Sequence, residues 1–167
     1  RILVHPTDGN IVLVAAEGPL WSAGGDRGVF RSTDGGTTWT NVGLRESERI
    51  VDIRIDPRAS DTVYVCVTGR LWSDSPDRGV YKSTDGGRSW AFLGLAETRS
   101  IGRIQVHPTD PNTVWLAALG HPWGPNKERG LYKTTDGGKT WTLKKFIDDK
   151  TGFVDVQLDP RNPNIVW

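Results

Sequence analysis

The sequence predicts an all-β protein, a β-propeller segment with four-stranded antiparallel blades, three of them complete and a fourth begun. Three observations carry this. Ser32-Thr33-Asp34-Gly35-Gly36-Thr37-Thr38-Trp39 returns as Ser83 to Trp90 and as Thr134 to Trp141, with 51 residues from Asp34 to Asp85 and 51 more to Asp136. Around these copies, alternating and β-branched runs are broken by turn residues, and no helical period of useful length appears. A repeat of about 50 residues carrying four short strands is the size of a propeller blade, whereas the coils of a linear β-solenoid are shorter.

The repeat extends along the whole chain. A shift of 51 residues superposes His5-Pro6, Asp56-Pro57 and His107-Pro108, and after the third turn the offset grows to 52, bringing in Asp159-Pro160. The units are 1–49, 50–100, 101–152 and an incomplete 153–167. In the second unit Val51, Ile53 and Ile55 alternate with Asp52 and Arg54, which predicts a first strand over 50–55. Val63-Tyr64-Val65-Cys66-Val67 is nearly all apolar, as expected of a strand buried on both faces, over 62–68. A polar loop containing Trp72 leads to a third strand over 79–83, and the Asp-Gly-Gly turn leads to a fourth over 88–93.

Each turn is built from Asp34, Gly36 and Trp39, from Asp85, Gly87 and Trp90, or from Asp136, Gly138 and Trp141. The carboxylate accepts backbone N–H groups, a glycine supplies positive φ, and the Trp adds apolar area beside the hairpin. A single blade cannot bury both of its faces, so the remaining blades of the same ring are expected partners. Closure by dimerisation of three-unit chains is the alternative, and the redundant stretch from Val154 to Trp167 disfavours it.

The 21 basic and 20 acidic side chains balance, which leaves no global field for nucleic acid. No apolar run is long enough for membrane insertion, and Cys66, the one cysteine, cannot form a disulfide within the chain. Because Cys66 aligns with Ala15 and Ala117, it reads as a small buried residue. His5 and His107 alternate with Asp at the same turn position, which marks a capping acceptor rather than a metal ligand. Each Asp-Gly-Gly turn offers one carboxylate where calcium takes six to eight oxygens, so the expectation is no metal and no cofactor.

The motif Ser/Thr-x-Asp-x-Gly-x-Ser/Thr-Trp, matched at every fixed position by all three copies, resembles the Asp-box, or bacterial neuraminidase repeat. The stretch from His107 to Gly130 is similar to large exported bacterial proteins described as glycosyl-hydrolase-like or sortilin-like. The resemblance implies an extracellular or periplasmic location and a glycan or a peptide or protein ligand. It also implies that the Asp-box hairpins lie opposite the ligand face, which is then formed by the loops from second to third strand and from fourth strand to the next unit.

On that face Trp21, Trp72 and Trp123 hold one repeat position, either stacking on sugar rings or plugging space between loops. Arg27, Arg78 and Arg129 also repeat and read as forks for neighbouring carbonyls or the preceding acid. Residues that break the pseudo-symmetry are better ligand candidates: Glu17, aligned with Thr68 and Leu119, His121, aligned with Pro19 and Arg70, and Asp74. Glu46, Glu48, Glu97, Asp148 and Asp149 add acids in the other loops, and a glycosidase needs two carboxyls about 5 Å apart or wider. The catalytic residues remain unassigned, since Tyr64, Tyr81 and Tyr132 are strand positions and no sialidase centre emerges. Finally, Arg1, Asp52, Arg103 and Asp155 share one repeat position with alternating sign, which predicts cross-blade ion pairs along the innermost strands.

Overall fold

The computed structural model describes residues 1–19, 21–22 and 24–167. Among these, twelve strands form three four-stranded antiparallel sheets. The first holds β1 (Ile2–Val4), β2 (Val12–Ala16), β3 (Gly28–Ser32) and β4 (Thr40–Asn41), hydrogen-bonded in that order. The second holds β5 (Ile50–Asp56), β6 (Ala59–Val67), β7 (Gly79–Ser83) and β8 (Ala91–Phe92). The third holds β9 (Ile101–Val106), β10 (Val114–Ala118), β11 (Gly130–Thr134) and β12 (Thr142–Lys145). A fourth blade begins where Leu158 bridges Val166 and Gln157 exchanges both backbone bonds with Trp167.

Neighbouring sheets converge at their first strands, β1 against β5 and β5 against β9, so β1, β5 and β9 are the inner strands. The near-continuous apolar run of β6 has its explanation here. Val63, Val65 and Val67 pack with Leu13, Val29 and Ile53 toward the first blade, while Tyr64 and Cys66 pack with Ile104, Val114 and Leu116 toward the third. Strand side chains alternate, so one strand feeds two inter-blade cores. Burial pushes the Cys66 thiol well above its usual range, which leaves it neutral and inert.

The outermost strands are shorter than their apolar pattern implies. The spacing predicts a strand over 88–93, but pairing begins only at Ala91. The reason lies in the preceding turn, where Asp85 Oδ1 accepts the N–H groups of Arg88 (2.8 Å) and Ser89 (2.9 Å) and so holds the chain in the turn. Conversely β6 starts early, at Ala59, because the Asp56 turn is tight enough for Asp56 to pair with Ala59.

The three Asp-Gly-Gly turns share one network. Asp34 Oδ1 takes the Thr38 N–H at 2.8 Å and Oδ2 takes the Thr38 hydroxyl at 2.5 Å, while the Ser32 hydroxyl accepts from the Gly36 N–H at 2.8 Å. Gly87 sits at φ 88 in the second copy, a conformation that only glycine adopts without strain. The Trp ending the second and third turns reaches the preceding blade: Trp90 donates its Nε1–H to the Val42 carbonyl and Trp141 to that of Leu93, both at 3.0 Å. The turns therefore stitch blade to blade along the outer rim.

These bonds hold the Asp34 carboxyl at about 2, below the usual 3.8, chiefly through the Thr38 hydroxyl and N–H. Asp85 and Asp136 shift the same way, led by the hydroxyls of Ser89 and Thr140. A depressed folded-state pKa gives stability that is present above the unfolded value and lost as pH falls through the folded one. Denaturation midpoints are therefore expected to fall as pH drops from about 4 to about 2. Replacing Asp34, Asp85 and Asp136 together with Asn should flatten that slope; an unchanged slope would show that the turns do not set acid stability.

Candidate functional site

The loops joining second to third strands gather at the end of the blades opposite the Asp-Gly-Gly turns. Their shape is set by the repeated arginines, which are buried and donate to loop carbonyls. Arg78 Nε reaches Thr68 O at 2.8 Å, and its Nη2 reaches Arg70 O and Ser73 O at 2.6 and 2.7 Å. Arg27 and Arg129 repeat the pattern, on Glu17 O at 3.0 Å and Leu119 O at 2.8 Å among others. Carbonyls, not the preceding acids, satisfy these forks, so the arginines are committed to loop architecture.

The three loop tryptophans form a column. Trp21 and Trp72 stack with centroids 5.9 Å apart, and Trp72 and Trp123 with centroids 4.7 Å apart, at 18° in both pairs. Trp72 takes part in both stacks, so the three indoles stand as one group. All three remain solvent-accessible, at 76, 59 and 63%. What they offer a ligand is one continuous, exposed indole surface.

Two clefts flank the central ring. The first, of about 270 Å³, is lined by Trp72, Asp74, Arg78, Arg99, His121 and Trp123 among others. The second, of about 280 Å³, lies between Trp21 and Trp72 and includes Glu48 and Arg70. Arg70 Nε contacts Glu48 Oε1 at 2.9 Å, and Arg99 Nη1 hydrogen-bonds Asp74. Arg99 holds the Asp74 carboxyl below its usual range, first by that bond and then by its charge. His121 accepts the Trp123 N–H through Nδ1 at 3.0 Å, which leaves Nε2 as the N–H of the neutral ring.

Arg70 and Arg99 were not marked by sequence reasoning. A signal existed: Glu48 and Arg99 lie 51 residues apart with opposite charge, so the repeat position itself is asymmetric. Both stand at positive φ, 53 and 61, after short 3₁₀ turns over Arg45–Ser47 and Ala96–Thr98. Non-glycine residues held in that region cluster at functional loops.

The candidate acids fall into separate roles. Glu17 is exposed and lines neither cleft. Glu46 is exposed as well, whereas Asp148 caps its own turn by accepting the Lys150 and Thr151 N–H groups. Asp74 and Glu97 share a third depression with Arg78 and Arg99. On the opposite face His107 Nδ1 accepts the Asp110 N–H at 3.1 Å, and Asp56 Oδ1 accepts that of Arg58 at 2.9 Å, the turn-capping role common to both residue types. Among the described residues no group of three or more His, Cys, Asp or Glu side chains is arranged to hold a metal ion.

Along the inner strands Asp52 Oδ1 lies 3.4 Å from Arg1 Nε, Asp52 Oδ2 lies 3.9 Å from Arg103 Nε, and Arg103 Nε lies 2.9 Å from Asp155 Oδ1. Arg54 adds a contact with Asp52 Oδ2 at 3.2 Å. This row links all three blades to the start of the fourth.

Converging four-stranded sheets with loop clefts at one end define a section of a β-propeller. Residues 27–159 match the Sortilin-Vps10 family model, described as sortilin, neurotensin receptor 3, and the chain belongs to that family. It is 30% identical over 132 residues to a vacuolar protein sorting/targeting protein 10 of Sordaria macrospora, covering 78% of this chain and 8% of that protein. It is 26% identical over 199 residues to a xyloglucanase of a Paenibacillus species, covering 94% of this chain and 19% of the enzyme. The chain thus spans no more than a fifth of the length of these relatives. Among solved structures, the GH74 xyloglucanase of Xanthomonas campestris superposes with a TM-score of 0.68 at 23% identity, over 99% of this chain and 26% of that one. A YCF48 structure bound to D1 peptide gives 0.57 at 16% identity, over 97% of this chain and 49% of that one. Those two likenesses speak for the fold.

Proposed function

We propose that the chain is part of an exported, glycan-binding propeller of the glycosyl-hydrolase-like kind, completed by further blades of the same ring, with Asp-boxes as its rim turns. The observation that supports this reading is the juxtaposition of exposed indoles with the 270 Å³ cleft walled by Trp72 and Trp123 and furnished with Arg99, Asp74 and His121. Saccharides favour aromatic surfaces bordered by a few convergent polar groups. Catalysis in these residues has less support. A general acid needs a raised pKa, whereas the Asp74 carboxyl is lowered by Arg99 and Glu48 is engaged by Arg70.

The alternative is a peptide- or protein-binding scaffold without catalysis, favoured by the sorting relative at 30% identity. A glycan array probed with the intact protein separates the two. Saccharide binding that weakens when Trp123 is replaced by Ala is the expected result. Absence of any glycan binding, with capture from a peptide library that depends on the same loops, would overturn the glycan reading.

A further inference from the structure

The two loop-face clefts lie between equivalent loops and differ in the sign of the charge at one repeat position. Glu48 and Arg99 occupy one repeat position, both at positive φ after equivalent 3₁₀ turns. Glu48 is fully engaged: Arg70 Nε lies at 2.9 Å, Arg27 Nη1 at 3.7 Å, and its side chain is only 19% exposed. Among the described residues Arg99 has a single anionic partner, Asp74, whose side chain is 90% exposed and shared with Arg78 at 3.9 Å. An ion pair so open to water is weakly held and readily exchanged. Arg99 also lines both the 270 Å³ cleft and the depression beyond it.

Resting on the saccharide reading above, we infer that the cleft between blades two and three selects an acidic sugar, a uronic acid residue whose carboxylate takes the Arg99 guanidinium in competition with Asp74. The planar guanidinium fork matches a carboxylate. His121, with Nδ1 engaged by the Trp123 N–H, presents Nε2–H to a ring hydroxyl, and Trp72 and Trp123 wall the site. Asp74, from the same loop as Trp72, acts as a built-in competitor. The walls are loop side chains without a free strand edge, which favours a sugar over an extended peptide. The Glu48 cleft has no arginine at the equivalent place, and its Arg70 is paired with Glu48.

The test is calorimetric titration of the intact protein with trigalacturonate and with its methyl ester. The acid should bind and the ester should bind at least about tenfold more weakly. Arg99→Gln should weaken acid binding by about tenfold and leave ester binding unchanged. Asp74→Ala should tighten acid binding by about threefold or more, a gain that misfolding cannot produce. Weaker acid binding in Asp74→Ala would overturn the inference by making Asp74 a ligand contact. Equal binding of acid and ester would overturn it while leaving the glycan reading intact. A carboxyl-terminal peptide bound with the same Arg99 dependence would overturn it in favour of peptide recognition. Binding of no saccharide, on the array or in the titration, would remove both readings.

Discussion

Tyr64→Ala is expected to cost about 4 kcal/mol of folding stability, the range for deleting a buried aromatic ring from a packed core. Tyr64 is fully buried on β6 and faces the third blade among Ile104, Val114 and Leu116. Its hydroxyl donates to the Gly137 carbonyl at 3.3 Å, tying the second blade to the Asp136 turn of the third. Lys82 lies 5.0 Å from the ring centroid and donates to the same carbonyl at 3.2 Å. Burial pushes the phenol up to about 12, so it stays a neutral donor over the working pH range.

Tyr64→Phe separates packing from bonding. It keeps the ring and removes only a long hydrogen bond, and because Lys82 still reaches Gly137 O the expected loss is about 1 kcal/mol or less. Denaturant titration followed by Trp fluorescence measures both variants. A Phe variant as damaged as the Ala variant would place the stabilisation in the hydroxyl and sink the packing account.

The same double-sided burial explains what the sequence makes legible. Val63 to Val67 has to be apolar at every position because each face meets another blade, and that pattern with the 51-residue period suffices to place the sheets. The outer strands are less legible because Ala91 and Phe92 are exposed and the turn network, not burial, decides where pairing starts. The 3₁₀ turns carry no glycine or asparagine at their left-handed positions, Leu44 and Leu95. Their signal was the hydroxyl at Ser47 and Thr98, which bonds Leu44 O at 2.5 Å and Leu95 O at 2.7 Å. In the site, Trp21, Trp72 and Trp123 were visible as a repeat, but their mutual stacking depends on how far neighbouring loops lean, which spacing does not encode.

Asp52→Ala is expected to cost about 3 kcal/mol, because one buried carboxylate serves partners from three blades. Its side chain is inaccessible to solvent. Oδ1 accepts the Ile53 N–H at 3.1 Å and Oδ2 accepts the Ile104 N–H of the next blade at 3.3 Å. The guanidinium groups of Arg1, Arg54 and Arg103 crowd around it at 3.4, 3.2 and 3.9 Å. Those arginines are 22 to 45% exposed and keep part of their hydration, so charge pairing alone contributes modestly. The larger loss comes from two buried N–H groups deprived of this acceptor, together with the charges of Arg1 and Arg54 left without their carboxylate, while Arg103 keeps Asp155. Asp52→Asn retains the shape and one carbonyl acceptor and should lose roughly half as much. Arg103→Ala in the Asp52→Ala background should cost less than in the parent, because it relieves repulsion once the carboxylate is gone. Additive losses in this double-mutant cycle, or a loss below about 1 kcal/mol for Asp52→Ala, would reduce the alternating row to independent, solvated charges.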